Sequence, residues 1–116
     1  MRARQPEARI VMIERGEAVG GNHTWCFHAG DLGSGAASWI EPLVVARWPG
    51  YDVAFEGQER TLDAPYACVT SRRLAECVEE SLRGPGSVLF TRTTAVAVGV
   101  DAVEIEVPWG KRRVVR

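Results

Sequence analysis

The sequence predicts an α/β fold, and three patterns carry that prediction. Residues 10–13 form a short, continuous apolar run, which is typical of a strand buried on both faces in a parallel sheet. Residues 74–82 place apolar side chains at spacings of three and four, which predicts one amphipathic helix. Residues 95–107 alternate valine and isoleucine with small or charged residues, which predicts antiparallel β structure.

Composition indicates one ordinary globular domain. The 116 residues suffice for one domain, and 46% hydrophobic with 25% charged residues is close to the globular average, which argues against disorder. The formal net charge of -1 gives no support for a nucleic-acid partner. We therefore expect no nucleic-acid binding.

Cysteine usage and hydropathy indicate the cytoplasm. An odd number of cysteines and no apolar secretory signal favour free thiols in a reducing compartment. No apolar run approaches the roughly 20 residues needed to span a bilayer, which excludes a transmembrane helix from this sequence. Peripheral association with the inner membrane is compatible with both observations.

Local signals assign the first part of the chain. Residues 1–4 are predicted to be the end of a helix that Pro6 stops, because proline cannot continue a helix. After the apolar strand, the glycine-rich residues 16–35 are predicted to be loop. Residues 36–40 are predicted to form a short helical turn that stops near Pro42.

The middle of the chain predicts a β-hairpin and then the helix. Residues 43–48 and 51–55 suit two strands joined by the turn signal Pro49-Gly50, and residues 59–62 would add a third. Either hydroxyl residue before the helix can cap it by accepting a hydrogen bond from the first turn. These candidate caps are Thr70 and Ser71, and the predicted stop is Gly84-Pro85.

The last third is predicted to be β structure. Residues 87–90 form a short strand, and turn signals at 101–102 and 108–110 divide residues 95–115 into a three-stranded meander that residues 111–115 close. Basic residues at the end alternate with valines, which favours the solvated face of a strand over a binding tail. These basic residues are Lys111, Arg112, Arg113 and Arg116.

Glu14 ends the first strand, and this position favours a nucleotide site. In Rossmann-type folds a carboxylate at the end of the second strand binds the adenosine ribose, ~20 residues after a glycine-rich phosphate-binding turn. The sequence has no G-x-G-x-x-G pattern, and this spacing puts the turn roughly six residues before Met1. We therefore expect residues 1–116 to be an incomplete dinucleotide-binding domain. The alternative is that Glu14 merely ends a strand.

The segment after Glu14 is distinctive. It runs Glu14-Arg15-Gly16, then Gly20-Gly21-Asn22-His23-Thr24-Trp25, then Cys26-Phe27-His28. This run resembles the bacterial lycopene β-cyclases, in which a strand ending in Glu precedes a Gly-Gly-Asn-His-Thr-Trp segment and a Phe-His pair. The resemblance continues through Trp48-Pro49-Gly50-Tyr51 and Val69-Thr70-Ser71. It covers residues 2–83, whereas the meander fits the family only in outline.

The resemblance implies the fold, the reaction and the cofactors. The expected fold class is α/β, a partial Rossmann-type FAD/NAD(P)-binding domain with an antiparallel β meander. The implied reaction is cyclisation of the linear ends of lycopene to β-ionone rings, with FAD and NAD(P)H as cofactors of the full-length enzyme. The acidic catalytic residues of the family lie beyond Arg116, so we expect no catalytic residue here and no activity from this chain alone.

The resemblance also implies cofactor-binding residues. Glu14 would bind the adenosine ribose, and Arg15 would lie beside the adenine or pyrophosphate. Gly20, Gly21 and Asn22 would let the backbone pass close to the cofactor, because glycine permits close approach and unusual dihedral angles.

Arg72 is the sixth residue assigned to the cofactor. Related flavoproteins place an arginine at the start of the later helix to touch the cofactor. Ser71 stands there in this sequence, and Arg72 and Arg73 follow it. We further expect the isolated chain to be marginally stable and to hold no FAD, because the strand over residues 10–13 would lack its usual neighbour. Stoichiometric flavin absorbance after gel filtration would contradict this.

Alternatives exist for several residues. His23, Cys26 and His28 are close enough to suggest a metal site, but zinc sites need four ligands, or three and a water, and no fourth ligand lies nearby. We therefore expect no metal. The tryptophans suit either the walls of a carotenoid tunnel or ordinary core packing, which is favoured. They are Trp25, Trp39, Trp48 and Trp109.

Two other functions stay open. The chain is alternatively a small, non-catalytic α+β binding module, or a fragment of another flavoprotein such as a geranylgeranyl reductase-like enzyme. The Asn22-His23-Thr24-Trp25 run argues against the second. A strand followed by G-x-G-x-x-G in the upstream reading frame would favour the cyclase over the binding module.

Overall fold

The computed structural model describes residues 9–33, 35–110 and 112–115, and it has a mixed α/β fold in which most strand pairs are antiparallel. The chain divides into two compact units. The first unit joins the residues up to Gly21 with those from Val78 onward, and the second is Asn22–Cys77. The helix end predicted over residues 1–4 lies outside the described residues.

The first unit contains a parallel pair of strands. Strand β1 (Val11–Ile13) pairs with β7 (Val88–Phe90), which confirms both predicted strands. The expected burial on both faces is wrong for Val11, whose side chain is 42% exposed. A two-stranded pair offers too little surface to cover every side chain of β1.

The predicted three-stranded antiparallel meander is confirmed in the same unit. It consists of β8 (Thr94–Val98), β9 (Val103–Glu106) and β10 (Arg112–Val115), with β9 in the centre. Ile105 lies on the central strand, which has a neighbouring strand on each side, and it has no exposed surface. The side chains of the basic residues at 111–116 lie outside the description.

The predicted helix is confirmed as α2 (Ser71–Leu82). Of the two candidate caps, Thr70 makes the capping bond: its Oγ1 accepts a hydrogen bond from Arg73 N at 3.3 Å. The apolar stripe ends at Leu82, which is buried.

The core of the second unit is a three-stranded antiparallel sheet. Strand β6 (Tyr66–Thr70) lies between β2 (Thr24–His28) and β3 (Ala46–Trp48), and its central residues 67–69 are buried. The loop predicted over residues 16–35 is therefore wrong for β2. The aromatic residues Trp25 and Phe27 suit a half-buried pleated surface once β6 supplies a partner.

The predicted hairpin has the wrong partners. Strand β4 (Tyr51–Phe55) pairs with β5 (Gln58–Leu62), whereas β3 pairs with β6. The hairpin turn is Glu56–Gly57, where Gly57 has a φ of 74°, and Gly50 instead packs against the backbone of Leu62. The predicted helical turn is confirmed as α1 (Ala37–Ile40), and a 3₁₀ turn containing Pro42 follows it.

Candidate functional site

Glu14 lies at the carboxyl end of β1. Both its backbone N–H and its carbonyl form hydrogen bonds. Its N–H donates to Phe90 O at 2.8 Å, and its carbonyl accepts from Thr93 N at 3.0 Å. Backbone hydrogen bonds between the two segments therefore continue beyond the last paired residues, Ile13 and Phe90. As a result, these hydrogen bonds hold the backbone of Glu14 in place at the end of the strand.

The Glu14 carboxylate turns back onto its own loop. Its Oε1 accepts a hydrogen bond from Gly16 N at 2.6 Å. A Cβ on residue 16 would lie 3.1 Å from that oxygen, so glycine is the residue that fits most easily here. Among the hydrogen bonds between described residues, none involves Oε2 of this half-buried side chain. The second carboxylate oxygen is thus able to accept hydrogen bonds from a ligand.

Arg92 also contacts this loop. Its backbone N–H donates to Gly16 O at 2.8 Å, and its guanidinium forms an ion pair with Glu17 at 2.6 Å. The backbone of Arg92 has a φ of 49°, a conformation that is uncommon for a residue other than glycine. No sequence pattern predicted a role for Arg92, because its contact with Gly16 depends on the pairing of β7 with β1.

Two of the expected glycines have backbone conformations that favour glycine over other residues. Gly20 has a φ of 86° and Gly21 a φ of 58°, both in the left-handed region that residues with a Cβ adopt at a cost. Arg15, in the same unit, is exposed. The first unit therefore contains four of the six expected cofactor residues, namely Glu14, Arg15, Gly20 and Gly21.

The other two expected residues belong to the second unit. Asn22 precedes β2, and Arg72 lies in the first turn of α2; both are exposed. The neighbouring Arg73 has structural contacts instead: its Nε donates to Pro42 O at 2.8 Å, and its guanidinium pairs with Glu76 at 3.3 Å. Of the two arginines that follow Ser71, Arg72 is thus the one whose side chain points to solvent.

The second unit also has an apolar cavity of about 470 Å³ beside its sheet. It is lined by Phe27, Trp48 and Ala67 of the sheet and by Leu32 and Ile40 of the segment between β2 and β3. The ion pair between Arg47 and Glu41 supplies charged groups at the lining. The cavity has the size and apolar character of a small-molecule pocket.

An aromatic cluster lies at one end of this sheet. The His28 ring centroid is 4.8 Å from that of Tyr66 and 5.6 Å from that of Tyr51. Among the described residues, none forms a hydrogen bond with His28 Nδ1, which is buried. The Cys26 thiol, as a hydrogen-bond partner, and burial both raise the pKa of Tyr66 above its ordinary value.

Two alternatives that the sequence left open concern the tryptophans and a metal site. The four tryptophans are 40% to 74% exposed, so core packing does not describe them in this chain, and Trp48 lines the cavity. Within the described ranges, no group of three His, Cys, Asp or Glu side chains is arranged to hold a metal ion. The His23 ring instead lies 5.8 Å from the Trp25 ring.

The helices are short. In the part of the chain that the structure describes, no helix combines the length and the apolar character that a membrane crossing needs.

Comparison with known proteins identifies the family. The family model described as lycopene cyclase protein matches residues 1–115. The lycopene beta-cyclase of Pantoea ananas is 38% identical over 106 residues, which are 91% of this chain and 27% of that protein. The lycopene beta-cyclase of Pseudescherichia vulneris is 45% identical over 82 residues, 71% of this chain and 21% of that protein. That of Paracoccus sp. is 30% identical over 81 residues, 70% of this chain and 21% of that protein.

The chain spans about a quarter of the length of these curated relatives. The resemblance carried by the Gly20–Trp25 segment is confirmed, and the match extends over nearly the whole chain. The chain belongs to the lycopene cyclase family.

Proposed function

We propose that this chain supplies the ribose-binding part of the FAD site in a lycopene β-cyclase. The observation that carries the proposal is the position of Glu14, whose carboxylate stands at the carboxyl end of a strand in a parallel pair. Dinucleotides bind outside the carboxyl ends of parallel strands, and an acidic residue there binds the ribose hydroxyls. The family membership supports the same interpretation, because relatives over this segment are lycopene beta-cyclases.

The parallel pair also supports a Rossmann-type domain over residues 1–116. Parallel neighbours need a long crossover connection, and this fold uses helices for such crossovers. Helix α2 precedes β7 directly in the chain, and its last residues from Val78 belong to the same unit as β1 and β7. A strand, a crossover ending in a helix and a parallel strand form the repeating unit of that domain.

The residues around Glu14 fit an adenosine ribose. Gly16 N fixes Oε1 of the carboxylate, and Oε2 is then available to accept from a ribose hydroxyl. Arg15 extends into solvent from the same loop, where a guanidinium would attract the pyrophosphate. Gly20 and Gly21 have left-handed backbone conformations and no side chains, so a cofactor would be able to pass close to the backbone there.

Asn22 and Arg72 are the two proposed cofactor residues that belong to the second unit. Asn22 continues the segment that begins at Gly20, and its amide has both donor and acceptor groups. Arg72 is exposed in the first turn of α2, where its side chain is available to an anionic ligand. Both assignments rest on the family resemblance together with exposure.

The proposed reaction is the cyclisation of the linear ends of lycopene to β-ionone rings. When bound, reduced FAD supplies negative charge that stabilises the carbocation formed by protonating a terminal double bond, and NAD(P)H maintains the reduced state. The residues of this chain bind and orient the cofactor, and we assign none of them to the proton transfers. We propose a cytoplasmic protein associated peripherally with the inner membrane, where an apolar carotenoid substrate dissolves.

A chimera tests this function. The matched 106-residue segment of the Pantoea ananas relative is replaced by the corresponding residues of this chain, and the chimera is expressed in lycopene-accumulating bacteria. We expect cyclised carotenoid by chromatography, and a loss of at least about tenfold on Glu14→Gln, because an amide whose single oxygen accepts from Gly16 N has no second acceptor for the ribose hydroxyl. Glu79→Gln, which changes an exposed carboxylate on α2, is the matched control and should retain cyclisation.

A second chimera separates a failed function from a failed graft. It carries the corresponding segment of the Pseudescherichia vulneris relative. The proposal would be wrong if that chimera cyclised lycopene while the chimera with this chain, expressed to the same level, left lycopene unchanged. Equal losses in Glu14→Gln and Glu79→Gln would contradict the ribose-binding role of Glu14.

A further inference from the structure

Cys26 of β2 lies directly opposite Cys68 of β6. The hydrogen bonds of the ladder determine which kind of antiparallel pair this is. Ser71 N donates to His23 O at 3.0 Å, so those two residues form a hydrogen-bonded pair. Hydrogen-bonded and non-hydrogen-bonded pairs alternate along an antiparallel ladder. Cys26 stands three positions from His23 and therefore forms a non-hydrogen-bonded pair with Cys68.

The hydrogen bond at the other end of the ladder also indicates that Cys26 and Cys68 form a non-hydrogen-bonded pair. Ala29 N donates to Pro65 O at 3.0 Å, and Ala29 is also three positions from Cys26. In addition, Cys68 O accepts from Val45 N at 2.9 Å, so the polar backbone of Cys68 bonds on the side away from β2.

This kind of pair has the dimensions of a disulfide. Residues that face each other in a non-hydrogen-bonded pair have Cα atoms about 4.5 Å apart and side chains on one face of the sheet. A disulfide spans Cα separations of about 4.4 to 6.8 Å. The two thiols are thus close enough to join without moving either strand.

The two thiols differ in exposure in a way that suits stepwise oxidation. Cys26 is exposed, whereas Cys68 is only 7% exposed. Burial, and next the neighbouring Cys26 thiol, raise the pKa of Cys68 above its ordinary value. A soluble disulfide can therefore reach Cys26 but not Cys68, which is placed to act second.

We propose that Cys26 and Cys68 form a redox modification site that closes to a cross-strand disulfide, with oxidised glutathione as the co-reactant. The Cys26 thiolate attacks one glutathione sulfur, forms a mixed disulfide and releases one reduced glutathione. The Cys68 thiolate then attacks the Cys26 sulfur and releases the second. The two thiols lose two protons and two electrons, and one glutathione disulfide becomes two glutathione thiols.

The bond would tie together two strands that line the apolar cavity. Phe27 follows Cys26 on β2, and Ala67 precedes Cys68 on β6; both contribute to the cavity wall. Oxidation would add a covalent link to the hydrogen bonds that already hold these two strands together. The third thiol provides an internal comparison, because Cys77 Sγ lies 3.6 Å from Pro42 O, away from the ladder.

Peptide mapping tests the proposal on the purified chain. The chain is equilibrated in glutathione buffers of increasing oxidised fraction, quenched with acid, alkylated with iodoacetamide and digested with trypsin. The arginines place the three cysteines on separate peptides, residues 16–47, 61–72 and 74–83. We expect peptide 16–47 joined to peptide 61–72, two hydrogen atoms lighter than the separate pair. This product should exceed either linkage to peptide 74–83 by roughly tenfold.

Three comparisons make the result decisive. Cys77→Ser should leave the linkage unchanged, and Cys26→Ser, at an exposed position, should abolish it while the circular dichroism spectrum is retained. The preference for this linkage should disappear in concentrated urea, because it depends on the strand register. The proposal is overturned if linkage to the Cys77 peptide is equally abundant in the folded chain. It is also overturned if Cys26 stops at the glutathione mixed disulfide, or if Cys26 and Cys68 stay alkylated in every buffer.

Discussion

His23 and Ser71 are joined by three hydrogen bonds. Ser71 Oγ accepts from His23 N at 2.6 Å and donates to His23 O at 2.6 Å, and Ser71 N donates to the same carbonyl at 3.0 Å. The first residue of α2 therefore holds the backbone immediately before β2. This contact gives Ser71 a structural role at the start of α2.

Ser71→Ala should destabilise the chain by about 1 to 3 kcal/mol, because it removes both hydroxyl bonds and leaves His23 N without that acceptor. Urea unfolding followed by circular dichroism measures the change. Ser38→Ala is the control, since Ser38 is exposed on α1, and it should change the free energy of unfolding by less than about 0.5 kcal/mol. Equal effects of the two substitutions would show that the His23–Ser71 contact contributes nothing.

Gly50→Ala should destabilise the chain by about 1 to 3 kcal/mol. A Cβ at residue 50 would collide with Leu62 O and lie 3.3 Å from Asp63 Cα, and backbone atoms cannot move aside cheaply. Gly30→Ala is the matched control, because a Cβ there meets no atom within 4 Å among the described residues. The same unfolding midpoint for both variants would contradict the packing of Gly50 on β5.

Ile105→Val should cost about 0.5 to 1.5 kcal/mol, because one methylene group is lost from a side chain with no exposed surface. Val100→Ala removes apolar atoms from a fully exposed side chain and should leave stability nearly unchanged. Thermal unfolding at one protein concentration compares them. A larger effect of Val100→Ala would place the core of the meander elsewhere.

The free energy of unfolding should fall as pH rises from about 9. Burial and Cys26 raise the pKa of Cys68 above its ordinary 9.0, so the unfolded chain releases this proton at a lower pH than the folded chain does. The stability from the neutral thiol is complete below pH 9.0 and is lost as the pH approaches the folded pKa. Urea unfolding under reducing conditions should show a shallower alkaline decline for Cys68→Ala. An identical decline in both proteins would contradict the shift.

Sequence patterns predicted those elements whose signals are local. The stripe formed by Leu74, Cys77, Val78 and Leu82 lies on one face of a single helix, and α2 has close to the predicted bounds. The alternation around Ile105 depends on nearby strands joined by short turns, and the meander is as predicted.

The wrong predictions concern strands whose pairing partners are distant in the chain. Strand β2 lies among glycines, and only its pairing with β6 distinguishes Thr24–His28 from loop. Pro49-Gly50 is a good turn signal, but no local sequence pattern indicates that β3 pairs with β6 rather than with β4. At the candidate site, Glu14 was found from its position after a strand. Arg92 was not, because its contact with the Glu14 loop depends on the pairing of β1 with β7.

The pairing of Val11 with Val88 sets an order of assembly. During synthesis on the ribosome, β1 emerges long before β7 exists, whereas the strands of Asn22–Cys77 all become available in between. Pairing across so long a separation is slow, because the loop must close before any contact stabilises it. We expect the β1–β7 pair to form after the sheet of Asn22–Cys77. During that delay the edge of β1 that pairs with β7 is open to other nascent chains, so the delay is a period in which misassembly can begin.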